Sequence, residues 1–268
     1  MSAERRLTVI DMDPDVHTRR QQGVTVMRTM AGATIGSVLV LAAARFFPRL
    51  IAALTQRPPD AVLLRDDARS PEALIAEVNS VPKELRRRLL VYRDPAVVHR
   101  IIGAYRYGLG PELIADAEVR QEAITVTTAD LKTVVVPLAE LPALRGRSPI
   151  ELSEYEIDSD GSCIYWPQLD VHLGVEQFRL AVDPELREAA RLATVRYNER
   201  YGAALRAVRR AHGLRQRDIA GLSERQVSRI EHGDRPRVAT LEVLAAAHGL
   251  EINDYLREVA EALRSGDA

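Results

Sequence analysis

The residues with the clearest chemistry lie between Arg215 and Gly233, in the run RQRDIAGLSERQVSRIEHG. The pattern predicts a short helix with Gln216 in its first turn, a Gly-Leu-Ser turn from Gly221 to Ser223, and a second short helix from about Glu224 to Glu231 that stops at Gly233. Val227 and Ile230 are three apart and share a face, so they can anchor the second helix to a core. Arg225, Gln226, Ser228 and Arg229 are left pointing outward. These side chains suit the edges of bases: Arg pairs bidentately with guanine, Gln with adenine, and Ser with either. A small helical hairpin with a solvated charged face reads the same way from these residues alone, so the flanking elements must discriminate.

Upstream, Ala204, Leu205, Val208 and Ala211 mark one face of a helix ending at His212-Gly213. Downstream, Leu241, Leu244 and Ala245 mark a fourth helix, and Ile252, Tyr255, Leu256, Val259 and Leu263 a fifth. Five short helices in this stretch predict a compact helical domain. Charge agrees locally. The whole chain carries a formal net charge of −1, whereas residues 196–237 hold eleven Arg and five acidic residues. That balance fits a phosphate-contacting face. Arg-rich usage is also general to this chain, whose only lysines are Lys83 and Lys132.

Residues 198–263 resemble the Cro/C1-type (XRE-family) helix-turn-helix. The matching positions are Leu205-Arg206, Arg209, Gly213-Leu214, Gln216, Ile219-Ala220, Ser223, Val227 to Glu231, and Gly233. The resemblance implies a structural ion pair between Arg209 and Glu231. It also implies a DNA contact by Gln216 at a helix N-terminus. The chain departs from the family between Ala220 and Val227, where it is about three residues shorter. The implied interface comprises Gln216, Arg217, Ser223, Arg225, Gln226, Ser228, Arg229, Arg235 and Arg237. Arg225, Gln226 and Arg229 are the expected base readers, and Gln216, Arg217, Arg235 and Arg237 the expected phosphate contacts.

At 268 residues the chain has room for two or three domains, and 46% hydrophobic with 28% charged residues describes a globular protein. Cys163 is the only cysteine, which rules out an internal disulfide and a cysteine zinc cluster. Glu4, Arg5 and Arg6 precede only a short apolar run, so no signal peptide is expected. The longest apolar stretch, Ala31 to Ala44, is too short and too polar to span a bilayer. A cytoplasmic, nucleoid-associated protein is expected.

The N-terminal part alternates apolar strands with helices, which predicts a doubly wound parallel sheet. Strands are expected at Arg6 to Asp11, Ser37 to Ala42, Asp60 to Arg65 and Leu89 to Tyr92, with a candidate fifth at Glu112 to Ala115. A polar helical run is expected from Asp13-Pro14 to Met30, and helices at Phe46 to Leu54, from Ser70 to about Asn79, and at Pro95 to Tyr107. Residues 5–118 resemble a response-regulator receiver domain. Val9 to Val16 is similar to its first-strand acidic cluster, and Pro59 to Arg65 to its phospho-acceptor strand. Receiver chemistry needs two acidic residues for Mg²⁺, an acceptor Asp, a Thr/Ser and a Lys. Here Met12 follows Asp11, Arg65 stands at the acceptor position with Asp66 displaced by one, Arg93 replaces the Thr/Ser, and no Lys lies near the fifth strand. The expectation is a degenerate receiver-like domain that is not phosphorylated.

Residues 119–183 read as a small α+β domain. Strands are expected at Ile124 to Thr128 and Thr133 to Val136, then a hairpin from Tyr155 to Ile157 and Ile164 to Trp166 around Asp160-Gly161-Ser162. The segment running from Val136-Pro137-Leu138 to Leu173 resembles domain of unknown function 2442. Tyr165, Trp166 and His172 could line a ligand site, but an aromatic pair of this kind more often closes a small core. Asp170 and His172, two apart, would share a face on a strand, without a third ligand for a metal.

The expected domains are therefore 1–118, receiver-like; 119–183, α+β; 184–201, a linker helix opened by Asp183-Pro184-Glu185; and 202–268, the five-helix domain, with Gly202 a break or bend. The chain shows no nucleophile–base–acid set, phosphate loop or metal cluster, so no catalytic residue, cofactor or metal is expected. The expected function is a sequence-specific transcription regulator that binds double-stranded DNA as a homodimer on an inverted repeat. The alternative is an antitoxin-like or protein-interaction module in which residues 1–183 bind a partner protein and the DNA-binding domain autoregulates.

Overall fold

The computed structural model describes residues 6–13, 23–29, 37–67 and 70–265. The chain forms two compact units, Met1–Asp183 and Pro184–Ala268.

The first unit opens with β1 (Leu7–Asp11), whose LTVID run is buried at every position. β2 (Val24–Met27) and β3 (Ser37–Ala43) follow. Helix α1 (Phe47–Gln56), β4 (Ala61–Arg65), α2 (Pro71–Ser80), α3 (Lys83–Arg86), β5 (Leu89–Tyr92) and α4 (Ala96–Tyr107) complete the first layer set. The strands pair in parallel in the order β2-β1-β3-β4-β5. Strands alternate their side chains between faces, which accounts for two cores. Leu7, Val9, Leu39, Leu41, Ala61 and Leu63 pack with Val97, Ile101 and Ile102 of α4 on one face. Ile10, Val40, Ala42, Val62 and Leu64 pack with Phe47, Leu54, Val81 and Leu85 on the other. Helix α2 starts where the sequence signals it, with Ser70 Oγ accepting from the Ala73 amide and Pro71 in the first turn.

Two expectations fail here. The expected polar helix is, over residues 24–27, an edge strand; its Val-Thr-Val core is β-branched and needs only one partner, β1. The rest of that expected helix, residues 14–22 and 30, lies outside the described residues. With β2 in place, β4 is fourth in chain order and the strand beside β1 is β3, ending at Ala43. The candidate fifth strand at 112–115 does not join this sheet. It opens β6 (Ile114–Arg120), which pairs antiparallel with β7 (Ala123–Thr128), itself paired with β8 (Thr133–Pro137). The short connection from β6 to β7 holds Gln121 at φ +48° and favours an antiparallel neighbour, whereas a parallel partner would need a long crossover.

Within the same unit, α5 (Pro149–Ser153) precedes a small sheet of β9 (Glu156–Ile157), β10 (Ile164–Trp166) and β11 (Val171–Leu173) in the order β11-β10-β9. Helix α6 (Val175–Val182) closes the unit over a core of Ile124, Val126, Val136, Trp166 and Phe178. Gly161, in the β9–β10 turn at φ +80°, sits where a Cβ would lie 2.4 Å from the Ile114 carbonyl oxygen. Trp166 is fully buried and donates Nε1–H to the Leu152 carbonyl at 3.1 Å. It closes the core; Tyr165 and His172, paired across β10 and β11 on the other face, stack on each other with ring centroids 4.2 Å apart. Asp170 lies in the turn before β11 at φ +50°, so strand alternation does not bring it onto a face with His172.

The second unit comprises α7 (Pro184–Ala211), a 3₁₀ turn at Gln216–Asp218, α8 (Glu224–Glu231), α9 (Val238–Ala247) and α10 (Ile252–Ser265). The linker and the first helix of the expected five-helix domain are thus one continuous helix. Gly202 does not break it; the missing side chain is used for close approach instead. The expected second helix is a single 3₁₀ turn, because the shortened segment leaves Ile219 extended and Gly221 at φ +88° before α8 begins.

Candidate nucleic-acid interface

The second unit packs Ala204, Leu205, Val208, Ile219, Val227, Ile230, Leu244, Ala245, Tyr255 and Val259 into one core. Val227 and Ile230 seat the inner face of α8 in it, as their spacing predicts. The N-terminus of α8 is set by a capping box. Ser223 Oγ accepts from the Gln226 amide at 3.3 Å, and Gln226 Oε1 accepts from the Ser223 amide at 2.9 Å and from Ser223 Oγ at 2.8 Å. Two of the expected interface residues are therefore engaged with each other, defining where the helix starts.

The C-terminus of α8 is held by a buried carboxylate. Glu231 accepts from Arg209 through both Nε and Nη2, the latter at 3.0 Å, and from Gln216 Nε2 at 2.7 Å. Arg206 Nε lies 3.5 Å away. A negative charge at a helix C-terminus is opposed by the helix dipole, so the cationic partners are what make it tolerable. Burial alone would raise the Glu231 pKa; hydrogen bonds from Arg209 and Gln216, with the charges of Arg209 and Arg206, outweigh it and hold the carboxyl below its usual range. Arg209 also donates Nη1 to the Leu214 carbonyl at 2.7 Å, tying α7 to the turn as well as to α8. The side chain of Gln216 thus points inward to Glu231 through its amide nitrogen.

Arg225 is exposed in the first turn of α8 and pairs with none of the described residues. Arg229, also exposed, reaches Asp234 at 2.6 Å. Ser228 is half-buried, and its carbonyl contacts His232 Nδ1 at 2.7 Å. Arg217, Arg235 and Arg237 are exposed. A groove of about 400 Å³ between α8 and the start of α9 is lined in part by Gln226, Arg229, Arg235, Arg237 and Thr240. The fold therefore brings the basic residues after α8 beside its outward face, while Arg217 stands on the preceding turn.

Residues 206 and 232 were not among the expected site positions. Arg206 Nη2 lies 3.1 Å from His232 Nε2, so these side chains link α7 to the end of α8. Their one sequence signal is spacing: Arg206 precedes Arg209 by one helical turn, on the flank that meets α8.

Among the described residues no group of three His, Cys, Asp or Glu could hold a metal ion, and no helix is long and apolar enough to cross a membrane. Residues 114–180 match the family described as protein of unknown function (DUF2442), and residues 205–255 match the family described as helix-turn-helix. No curated protein and no solved structure matches the chain. The C-terminal region is thus similar to the helix-turn-helix family and the middle of the chain to the DUF2442 family, each match covering less than half of the chain.

Proposed function

We propose that this chain is a sequence-specific transcription regulator, not an enzyme, acting on the nucleoid in the cytoplasm. The observation that carries this reading is the two-sidedness of α8. Its inner face is locked by Val227, Ile230 and the Arg209–Glu231 pair, and its outer face presents Arg225 and Arg229 beside the exposed Arg235 and Arg237. In this reading α8 enters the major groove. Arg225 and Arg229 read base edges, with Gln226 contributing through its amide nitrogen. Arg217, Arg235 and Arg237 contact phosphates, which fix register without carrying sequence. Ser223 and Gln216 act by placing α8.

One helix-turn-helix reads few base pairs, so a homodimer on an inverted repeat, with half-sites about one helical turn apart, supplies the specificity. The first turns of α7 expose Leu186, Leu192, Val195 and Tyr197, which supports an association surface there. The same exposed residues favour a second reading, in which the chain docks a partner protein and its DNA-binding region autoregulates.

Chromatin pull-down with the wild-type chain and an Arg225→Ala/Arg229→Ala double variant tests the proposal. A limited set of sites sharing an inverted repeat, lost in the variant, is the expected outcome. Sequence-blind occupancy unaffected by the double substitution would sink it.

A further inference from the structure

The end of α8 carries an acidic residue that helix stability does not explain. Gly233, at φ +108°, turns the chain out of the helix, and an added Cβ there would come 3.3 Å from the Glu199 backbone nitrogen in α7. The Gly233 amide donates to the Ile230 carbonyl at 3.1 Å, and the Asp234 amide to the Arg229 carbonyl at 3.0 Å. These bonds make a Schellman cap, in which the residue after the glycine lies against the residue whose carbonyl it bonds. Those positions commonly close the cap through a hydrophobic contact. Here they are Asp234 and Arg229, and Nη2 of Arg229 lies 2.6 Å from Oδ2 of Asp234.

The pair sits on the outward side of α8, where both side chains line the groove shared with Gln226, Arg235 and Arg237. The Arg229 side chain is 67% exposed and that of Asp234 49%, so the pair is solvated and adds little to stability. A carboxylate at a helix C-terminus also opposes the helix dipole. On a face that meets phosphates it repels the ligand as well. What the carboxylate does supply is control of Arg229. Arg217, Arg225, Arg235 and Arg237 make no ion pair with a described residue, so their guanidinium groups can swing to whichever oxygen is near. Arg229 is held at Nη2, while its Nε and Nη1 pair with none of the described residues. Those donors are what a bidentate contact with guanine O6 and N7 needs.

We propose that Asp234 is a positioning residue for base reading. Fixed by the cap, its carboxylate holds the Arg229 guanidinium toward the base edges and away from neighbouring phosphates, so that Arg229 requires a guanine at one position. This rests on α8 being the helix that reads bases. Asp234 thereby lowers affinity for every duplex through its charge and raises discrimination at one base pair by pre-organising its reader.

Binding of the full-length chain to a randomised duplex pool, sequenced after retention, measures the preference at each base pair; a duplex lacking the selected sequence measures affinity without specificity. Arg229→Ala is expected to lose about 5- to 150-fold discrimination at one base pair, the contribution of a bidentate arginine–guanine contact. Asp234→Ala is expected to lose about 3- to 10-fold at that same base pair and none elsewhere, while binding the non-specific duplex more tightly than wild type. Combined with Arg229→Ala, it should lower the preference at that pair no further. If Asp234→Ala does not fold, Asp234→Asn, which keeps the side-chain shape and removes the charge, decides by the same readout. An Asp234 variant that keeps the wild-type preference at that pair, or that weakens every sequence alike, overturns the proposal and leaves the base-reading role of α8 intact. A wild-type chain with no base preference, or a preference that survives Arg229→Ala unchanged, overturns both.

Discussion

Gly202, in the middle of α7, lies where a Cβ would come 2.6 Å from the carbonyl oxygen of Ile230 and 2.8 Å from that of Glu231. Both are backbone atoms of the last turn of α8, so neither can move without shifting the helix. Gly202→Ala is therefore expected to lower the stability of the C-terminal unit by about 1–3 kcal/mol through overpacking. The gain in helix propensity, about 1 kcal/mol, offsets only part of this. Hydrogen exchange at the α8 amides of the full-length chain measures the effect; unchanged or slower exchange would contradict the close approach.

The Arg209–Glu231 pair joins the same two helices electrostatically. Arg209→Ala leaves a buried carboxylate without its main partner and is expected to cost about 3–5 kcal/mol. Arg209→Met together with Glu231→Gln, which removes both charges, should recover much of that loss. A double variant as unstable as Arg209→Ala would show that shape, and not charge balance, governs this contact. Since the folded-state pKa of Glu231 lies below its unfolded value, its contribution is present above about pH 4.3 and is lost as pH falls through the folded value.

A second pH dependence lies higher. His248 is buried, with Nδ1 against the Leu244 carbonyl at 2.6 Å and Nε2 without a partner among the described residues. Burial first, then the neighbouring His212 and Arg209, depress its pKa, against the opposing Leu244 hydrogen bond and the charge of Glu258. The unfolded chain therefore takes up the proton first. Stability is full above about pH 6.5 and falls as pH drops through that value toward the depressed one. Unfolding midpoints of the wild-type chain and His248→Gln across pH 5 to 8 (about the range in which an imidazole titrates) should differ in slope. Parallel curves would remove His248 as the cause.

Gln216 donates its amide to Glu231 at 2.7 Å, so its expected contribution to DNA binding is to hold α8 in place. Gln216→Ala should weaken binding to every sequence while leaving the slope of log affinity against log salt unchanged. A direct contact of the uncharged Gln216 amide with DNA would instead weaken binding while leaving hydrogen exchange at the α8 amides of the free chain unchanged, whereas loss of positioning should speed that exchange.

Arg225, unpaired among the described residues, is expected to act differently. Arg225→Ala should cost about 1–3 kcal/mol at one base position and relax preference there. Binding measured against a library of single-base operator variants distinguishes this from uniform weakening, which would make Arg225 a phosphate contact.

Much of this was legible in the chain itself because the signals are local. The three-residue spacing of Val227 and Ile230, the Ser223 start and the Gly233 stop define α8 without reference to any distant residue. The strands around LTVID and AVLLR announce themselves as apolar runs between turn residues, and the hairpin turn at Gly161 follows from its type and place. What only the tertiary structure decided is which of those local features are joined. β2 has half-buried positions and a weak pattern, so its pairing with β1 is set by the sheet and not by its own propensity. The same holds for residues 114–115, whose apolar character suits either sheet until the partner strand β7 is placed. Gly202 reads as a helix breaker in one dimension and proves to be a contact in three, because its missing side chain matters only once α8 lies across it. Gln216 and Arg65 show the same division. Residue type declares that a side chain can hydrogen-bond, but whether it faces outward or is spent on Glu231 or Asp13 depends on groups 15 and 52 residues away in sequence, brought within 3 Å by packing.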